Sequence, residues 1–193
     1  MKIIYVGMHR NGYGRPDGGE NFEYVNFFQS LRAMPVIQVI EYFFDSLPEV
    51  GKKTWNENLV QLVDQKRPDL VFAFMYTDEF DPAALQRIKQ NTKTLAWFAD
   101  DYWRFWNYSR RWAPHFSYAV TTSPQAVRWY RKAGQENVIL SQWACNTALY
   151  RPPEVKKKNI AVSFIGQWKR PREAVIRKLS RAGIAVEAFG RGW

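Results

Sequence analysis

The sequence predicts an α/β fold: a doubly wound parallel sheet followed by the first β-α-β unit of a second, truncated domain. Short apolar runs rich in β-branched and aromatic residues alternate with helical patterns roughly every 30 residues. This alternation favours right-handed crossovers between parallel strands. The runs at 2–7 and 69–75 are apolar almost throughout, as expected of strands that are covered on both faces.

The elements follow in order along the chain. A glycine-rich loop at 8–19 comes between the first strand and a helix that begins at Glu20. Ser123 and Pro124 predict the N-cap and first turn of a later helix. The predicted strands are 2–7, 36–44, 69–75, 92–99, 116–121 and 137–140, and the other predicted helices are 55–65, 82–89 and 124–133.

The charge distribution separates the tail from the rest. The net charge is +10, but residues 1–150 hold 17 Lys and Arg against 15 Asp and Glu, whereas residues 151–193 hold 11 against 3. Residues 160–165, 172–182 and 184–189 predict a strand, a helix and a strand, with Val175, Ile176 and Leu179 facing inward. We therefore expect a first domain at 1–145, a linker at 146–159 and the start of a second domain at 160–193.

Composition excludes several classes of protein. The single Cys145 rules out a disulfide framework and a multi-cysteine metal site, and only His9 and His115 are available as imidazole ligands. No D-x-D motif occurs, so no bound metal is expected. No apolar run approaches the ~18 residues of a membrane span, and no signal peptide is recognisable, so a cytoplasmic protein is expected.

The loop after the first strand is a candidate ligand site. It fails the P-loop pattern, because Tyr13 stands where Lys is required, and it fails the dinucleotide pattern, because Asp17 stands at the third glycine. Gly18 and Gly19 nevertheless lead into the predicted helix that begins at Glu20, at the carboxyl end of a strand, where bare amides and the helix dipole favour an anion. Asn11 in the same loop joins this candidate set. A flexible surface loop is an equally good interpretation.

A second candidate follows the fourth strand. Asp100 and Asp101 could orient a hydroxyl nucleophile or bind a sugar diol, with Arg104 beside them. The alternative is that one aspartate caps a helix and Arg104 is its counter-ion. Residues 97–118 are rich in aromatic side chains, which indicates core or an interface more than stacking on a ligand. Basic residues are too few here for nucleic-acid binding.

The tail offers a third candidate. Gly166 ends a predicted strand, and Lys169 and Arg170 follow before the helix, a placement that suits a diphosphate. The alternative is a solvated basic helix.

Several runs together resemble the CgeB-like (spore-maturation-type) glycosyltransferases. They are Tyr76–Asp81, Leu95–Asp101, Arg111–Phe116, Ser141–Asn146 and Tyr150–Pro152, with Val162–Gly166 and Phe189–Trp193 in the tail. The resemblance implies the GT-B architecture of two Rossmann-like domains, with acceptor mainly on the first and nucleotide-sugar donor mainly on the second.

The resemblance also implies roles for particular residues. Gly18 and Gly19 match a Gly-Gly loop near the donor phosphates. Gly166 matches the glycine of a Gly-Arg pair that the family carries at the start of its second domain. Gln167 replaces the family's Arg there, so Lys169 or Arg170 takes the cation role. The family's donor-gripping carboxylates lie later than this chain extends, so the chain alone is expected to be inactive.

The predicted function is therefore metal-independent sugar transfer from a nucleotide-sugar co-substrate to a hydroxyl acceptor, without another cofactor. The alternatives are a non-catalytic Rossmann-like module that binds a nucleotide, a sugar or a protein, and nucleic-acid binding through the basic tail. Exposed apolar surface on an incomplete second domain predicts self-association.

Overall fold

The computed structural model describes residues 1–152, 154 and 158–193. They form two compact units, Met1–Tyr150 and Arg151–Trp193. Part of the expected linker, at 153 and 155–157, lies outside the described residues. Residues 146–150 pack with the first unit: the backbone N–H of Asn146 donates to the side chain of Asn26 over 2.9 Å, and its side chain donates to the Val25 carbonyl.

The first unit is built on a six-stranded, fully parallel sheet with the strand order β2-β1-β3-β4-β5-β6. The strands are β1 Lys2–Gly7, β2 Gln38–Phe43, β3 Leu70–Met75, β4 Lys93–Phe98, β5 Tyr118–Thr121 and β6 Val138–Leu140. The predicted doubly wound α/β class is confirmed, and every predicted strand of 1–140 is present.

Side-chain alternation along β1 divides the core between the two faces of the sheet. Ile4 and Val6 join a cluster that contains Trp55, whereas Ile3 and Tyr5 join a second cluster on the other face. Both clusters consist of almost fully buried side chains. Because both faces are covered, the strands can be apolar throughout, which is the pattern seen in the sequence.

The helices agree with the predictions in position and differ in detail. The helical segments of the first unit are Tyr24–Phe28, Gln29–Arg32, Phe44–Ser46, Leu47–Val50, Lys52–Lys66, Pro82–Asn91, Asp101–Arg104, Phe105–Ser109, Arg110–Trp112, Ala113–His115 and Pro124–Lys132. Asn11–Gly14 forms a turn rather than a helix, because Gly12 and Tyr13 have positive φ values. The segments at Tyr24–Phe28 and Phe105–Ser109 are π-helical, a form often found at functional sites. Ser123 occupies the predicted N-cap position, but its side chain makes no capping hydrogen bond.

The second unit pairs β7 Ser163–Ile165 with β8 Glu187–Phe189 in parallel, joined through the helix Arg170–Arg181. None of the residues described in 151–193 is buried. Val175 was expected to face inward but is 59% exposed, because the two short strands β7 and β8 cover only part of the helix Arg170–Arg181. Ile176 and Leu179 are half-buried.

The strand order places a topological switch point between β1 and β3. The chain leaves β1 towards β2 on one side and continues from β3 towards β4 on the other. In open parallel sheets, ligands bind at the carboxyl ends of the strands at this point. Among the described residues, no helix is both long and apolar enough to cross a membrane.

Candidate functional site

The loop after β1 is closed on itself by hydrogen bonds. The Asp45 carboxylate anchors its start by accepting the backbone N–H groups of His9 and Arg10 over 2.8 Å each. Asn11 closes it: its backbone N–H donates to the Gly19 carbonyl, and its side chain donates to the Gly18 carbonyl over 2.9 Å. Asn11 therefore links the two ends of the loop.

The two glycines serve the loop in different ways. A Cβ atom on Gly18 would lie 2.1 Å from the Asn11 carbonyl oxygen, so no larger residue fits the closed loop. The Gly18 N–H is already used by the Arg15 carbonyl. Gly19 has a φ of +64° and nothing within 4 Å of the position of a Cβ. Within the described part of the chain, the N–H groups of Gly19 and Glu20 have no acceptor, so these two amides are among those available to a ligand.

The helix that follows is capped by a residue that the sequence analysis did not select. Asn21 Oδ1 accepts the Glu23 N–H over 2.9 Å and also the Tyr76 hydroxyl over 3.0 Å. The Glu23 carboxylate receives the same hydroxyl over 2.9 Å. Glu20 Oε1 lies 4.0 Å from His9 Nε2. The helix start therefore holds two carboxylates, which compete with an anion for the dipole, and an imidazole beside one of them.

A buried carboxylate joins this loop to the end of β3. Glu79 is 2% exposed, and its oxygens accept the Thr77 N–H over 2.9 Å, the Thr77 hydroxyl over 2.8 Å and the Tyr13 hydroxyl over 2.6 Å. Burial and the hydrogen bond to Glu79 raise the pKa of Tyr13 to about 12. Tyr13 has a φ of +59°, which is uncommon for a residue other than glycine and occurs often at functional sites.

The paired aspartates after β4 have different environments. Asp100 is half-buried and adopts the left-handed conformation, with a φ of +62°, at the N-cap of Asp101–Arg104; its side chain makes no capping hydrogen bond. Asp101 is 1% exposed, and its Oδ2 accepts the Tyr130 hydroxyl over 2.8 Å. Burial raises the pKa of Asp101. Asp100 is therefore the more exposed of the two carboxylates.

Arg104 faces the end of β3. Its guanidinium donates to the Tyr76 carbonyl and lies over the Tyr108 ring, with Cζ 4.1 Å from the ring centroid. No carboxylate in the described residues forms a salt bridge with it. Its backbone N–H donates to the Asp100 carbonyl. Arg104 and Asp100 are thus joined through the backbone, and the expected ion pair of Arg104 with an aspartate is absent among the described residues.

An open cleft of about 550 Å³ lies against this arginine. Thr77, Asp78 and Pro82 line one wall, and the opposite wall is the helical segment 101–115. That segment contributes Arg104, Asn107, Tyr108, Arg111, Trp112 and His115. The cleft shares Thr77 with the glycine loop, since the Tyr13 hydroxyl lies 3.0 Å from Thr77 Oγ1.

Several of these residues were missed by sequence analysis. Tyr13 and Glu79 are 66 residues apart, and no local pattern marks them as partners. Tyr108, Arg111 and His115 do carry a signal, because they follow the predicted Arg104 at intervals of three or four residues, the spacing of side chains on one face of an α-helix.

The tail candidates lie in the second unit. The Gly166 carbonyl accepts the Trp193 indole N–H over 2.7 Å, and a Cβ at Gly166 would meet the Phe164 ring at 3.0 Å, so packing already accounts for this glycine. Lys169 is the N-cap of Arg170–Arg181 and makes no side-chain capping bond. Neither Lys169 nor Arg170 forms a salt bridge with any residue that the structure describes.

A metal site is not formed by the described residues, since no group of three His, Cys, Asp or Glu side chains converges among them.

The parallel six-stranded sheet, with packed side chains on both faces, defines a Rossmann-like α/β fold. No family model matches the chain, and no curated protein matches it. Among solved structures, the fold is similar to that of S. aureus MnaA in a co-structure with UDP, with a TM-score of 0.52 and 14% sequence identity. The match covers 97% of this chain and 61% of the MnaA chain, so this chain spans less than two thirds of that length.

Proposed function

We propose that this chain is the acceptor-side domain, with the start of the donor-side domain, of a metal-independent GT-B glycosyltransferase of the CgeB-like type. One observation carries the proposal: the glycine loop after β1 and the cleft beside β3 meet at Thr77, at the switch point of the sheet. The likeness to a fold determined with UDP supports a nucleoside diphosphate as the class of ligand.

The donor end of the site, which is the glycine loop after β1, would stabilise the departing diphosphate. The bond between the anomeric carbon and the diphosphate oxygen breaks, and negative charge develops on that oxygen. The N–H groups of Gly19 and Glu20, which have no acceptor among the described residues, are suited to receive it. Within the second unit by itself, Gly166, Lys169 and Arg170 remain predicted anion-binding residues.

The acceptor end would activate a hydroxyl group. The acceptor oxygen forms the new bond to the anomeric carbon, and its proton passes to a carboxylate. We assign this carboxylate to Asp100, because Asp101 is buried and hydrogen-bonded to Tyr130. Asp101 would act as a positioning residue that fixes the start of the helical segment.

Calorimetric titration with UDP tests the donor end. Gly19→Ala introduces a Cβ where a ligand would approach the amides, and we expect UDP to bind at least about tenfold more weakly. Gly134→Ala is the matched control, since Gly134 also has a positive φ, +86°, and nothing within 4 Å of its Cβ position. Equal effects of the two substitutions, or no UDP binding to the unsubstituted chain, would contradict the proposal.

Turnover tests the acceptor end and separates transfer from simple binding. In a protein that carries a whole donor domain, Asp100→Asn should abolish release of UDP from a UDP-sugar in the presence of acceptor. Unchanged turnover would remove Asp100 from the mechanism. UDP binding without any turnover would instead support a non-catalytic Rossmann-like binding module.

A further inference from the structure

One wall of the cleft of about 550 Å³ carries basic and aromatic side chains at regular spacing. Arg104, Tyr108, Arg111 and His115 follow one another at intervals of three or four residues along the continuous helical segment 101–115, and all four line the cleft. Two guanidinium groups, those of Arg104 and Arg111, therefore line the same cleft.

Both arginines are available to an anion. Arg104 is fixed by its hydrogen bond to the Tyr76 carbonyl and by its contact with the Tyr108 ring, so little side-chain entropy is lost when it binds. Arg111 is exposed, and no carboxylate of the described residues pairs with it. A planar guanidinium with free N–H groups binds phosphate and carboxylate in a bidentate manner.

Two carboxylates lie near the cleft: that of Asp78 in its lining and that of the buried Glu79, which accepts the Thr77 hydroxyl. Asp78 is the acidic side chain that lines the cleft, and Lys52 neutralises that carboxylate over 2.9 Å. Burial and the Lys89 charge lower the pKa of His115, so its imidazole is neutral at pH 7 and can donate or accept a hydrogen bond. The Tyr108 hydroxyl is buried and has no hydrogen-bond partner among the described residues.

We propose that this cleft binds the anionic group, a phosphate monoester or a carboxylate, of the hydroxyl acceptor. That the bound molecule is the sugar acceptor rests on the proposed function, whereas the binding of an anion rests on the cleft alone. The acceptor is thus a charged sugar or a similar polyol, held by Arg104 and Arg111 with its hydroxyl groups towards Thr77 and the end of β3.

Binding of glucose 6-phosphate, with glucose as the uncharged comparison, tests this inference on the full chain. We expect glucose 6-phosphate to bind and glucose not to bind measurably. Arg111→Gln should weaken the phosphate ester at least about tenfold. Arg110→Gln is the matched control: it removes the same charge from the adjacent exposed residue, whose guanidinium lies 5.8 Å from the Trp106 ring centroid and does not line the cleft.

The outcomes separate the two proposals. Equal losses in both variants would show diffuse attraction to a basic protein and would overturn the cleft assignment, as would absence of binding. If the chain binds UDP but not glucose 6-phosphate, the cleft inference fails and the proposed function stands. If glucose 6-phosphate depends on Arg111 but UDP does not bind, the anion site stands and the proposed function fails.

Discussion

Gly18→Ala tests whether the glycine loop is the closed, ordered structure on which the donor site depends. The added Cβ would lie 2.1 Å from the Asn11 carbonyl oxygen and 3.2 Å from the Arg15 carbonyl oxygen. Both contacts are with backbone atoms, so the two sides of the loop must separate. Three hydrogen bonds then break: Asn11 to Gly19, Asn11 to Gly18 and Gly18 to Arg15. At about 0.5–1.5 kcal/mol each, the free energy of unfolding should fall by about 3 kcal/mol.

Urea unfolding followed by circular dichroism measures this loss. Gly19→Ala and Gly134→Ala are the comparisons, because each adds only the cost of a left-handed residue, about 1–2 kcal/mol. The expected order is therefore a larger loss for Gly18→Ala than for either comparison. A Gly18→Ala variant as stable as Gly134→Ala would refute the closed loop.

Three further predictions concern buried charge and exposed apolar surface. Burial raises the pKa of Asp101, so its charge opposes folding above its ordinary pKa of about 3.9. The Asp101→Asn variant should therefore be as stable as the unsubstituted chain near pH 3 and more stable at pH 7. A stability difference that does not depend on pH would contradict this. Glu79→Gln should lower the free energy of unfolding by about 1–3 kcal/mol, because one acceptor of the Thr77 and Tyr13 hydrogen bonds becomes a donor. An unchanged midpoint of urea unfolding would contradict the hydrogen bonds from Thr77 and Tyr13 to Glu79. Ile165 is 81% exposed, so the chain should self-associate as its concentration rises in sedimentation velocity experiments. The Ile165→Lys variant should associate less. Strictly monomeric profiles for the unsubstituted chain and the variant would exclude self-association through this residue.

The fold could be predicted because its signals are local. Each strand between residues 2 and 140 is a short apolar run, and the residues that end the strands and start the helices, such as Pro82 and Pro124, mark the boundaries. The strand order could not be predicted, because it depends on packing between distant elements. It is this order that puts the end of β1 beside the end of β3.

The candidate site could be predicted only in part. The position of Gly18 and Gly19 after the first strand was clear from spacing, but the closing hydrogen bonds from Asn11 depend on how the loop folds back. Asp100 and Asp101 are identical in type and adjacent, and only the tertiary structure distinguishes the half-buried one from the one hydrogen-bonded to Tyr130.

The most direct test of a nucleotide-sugar site at the switch point is an amide-resolved NMR titration of the chain with UDP. We expect the largest shift changes within the first unit at residues 9–20 and 76–79, the two segments that meet at the switch point. Uridine, which lacks the diphosphate, should cause much smaller changes at Gly19 and Glu20. UDP-dependent changes confined to other parts of the first unit, or no changes at millimolar UDP, would contradict a nucleotide-sugar site at this edge of the sheet.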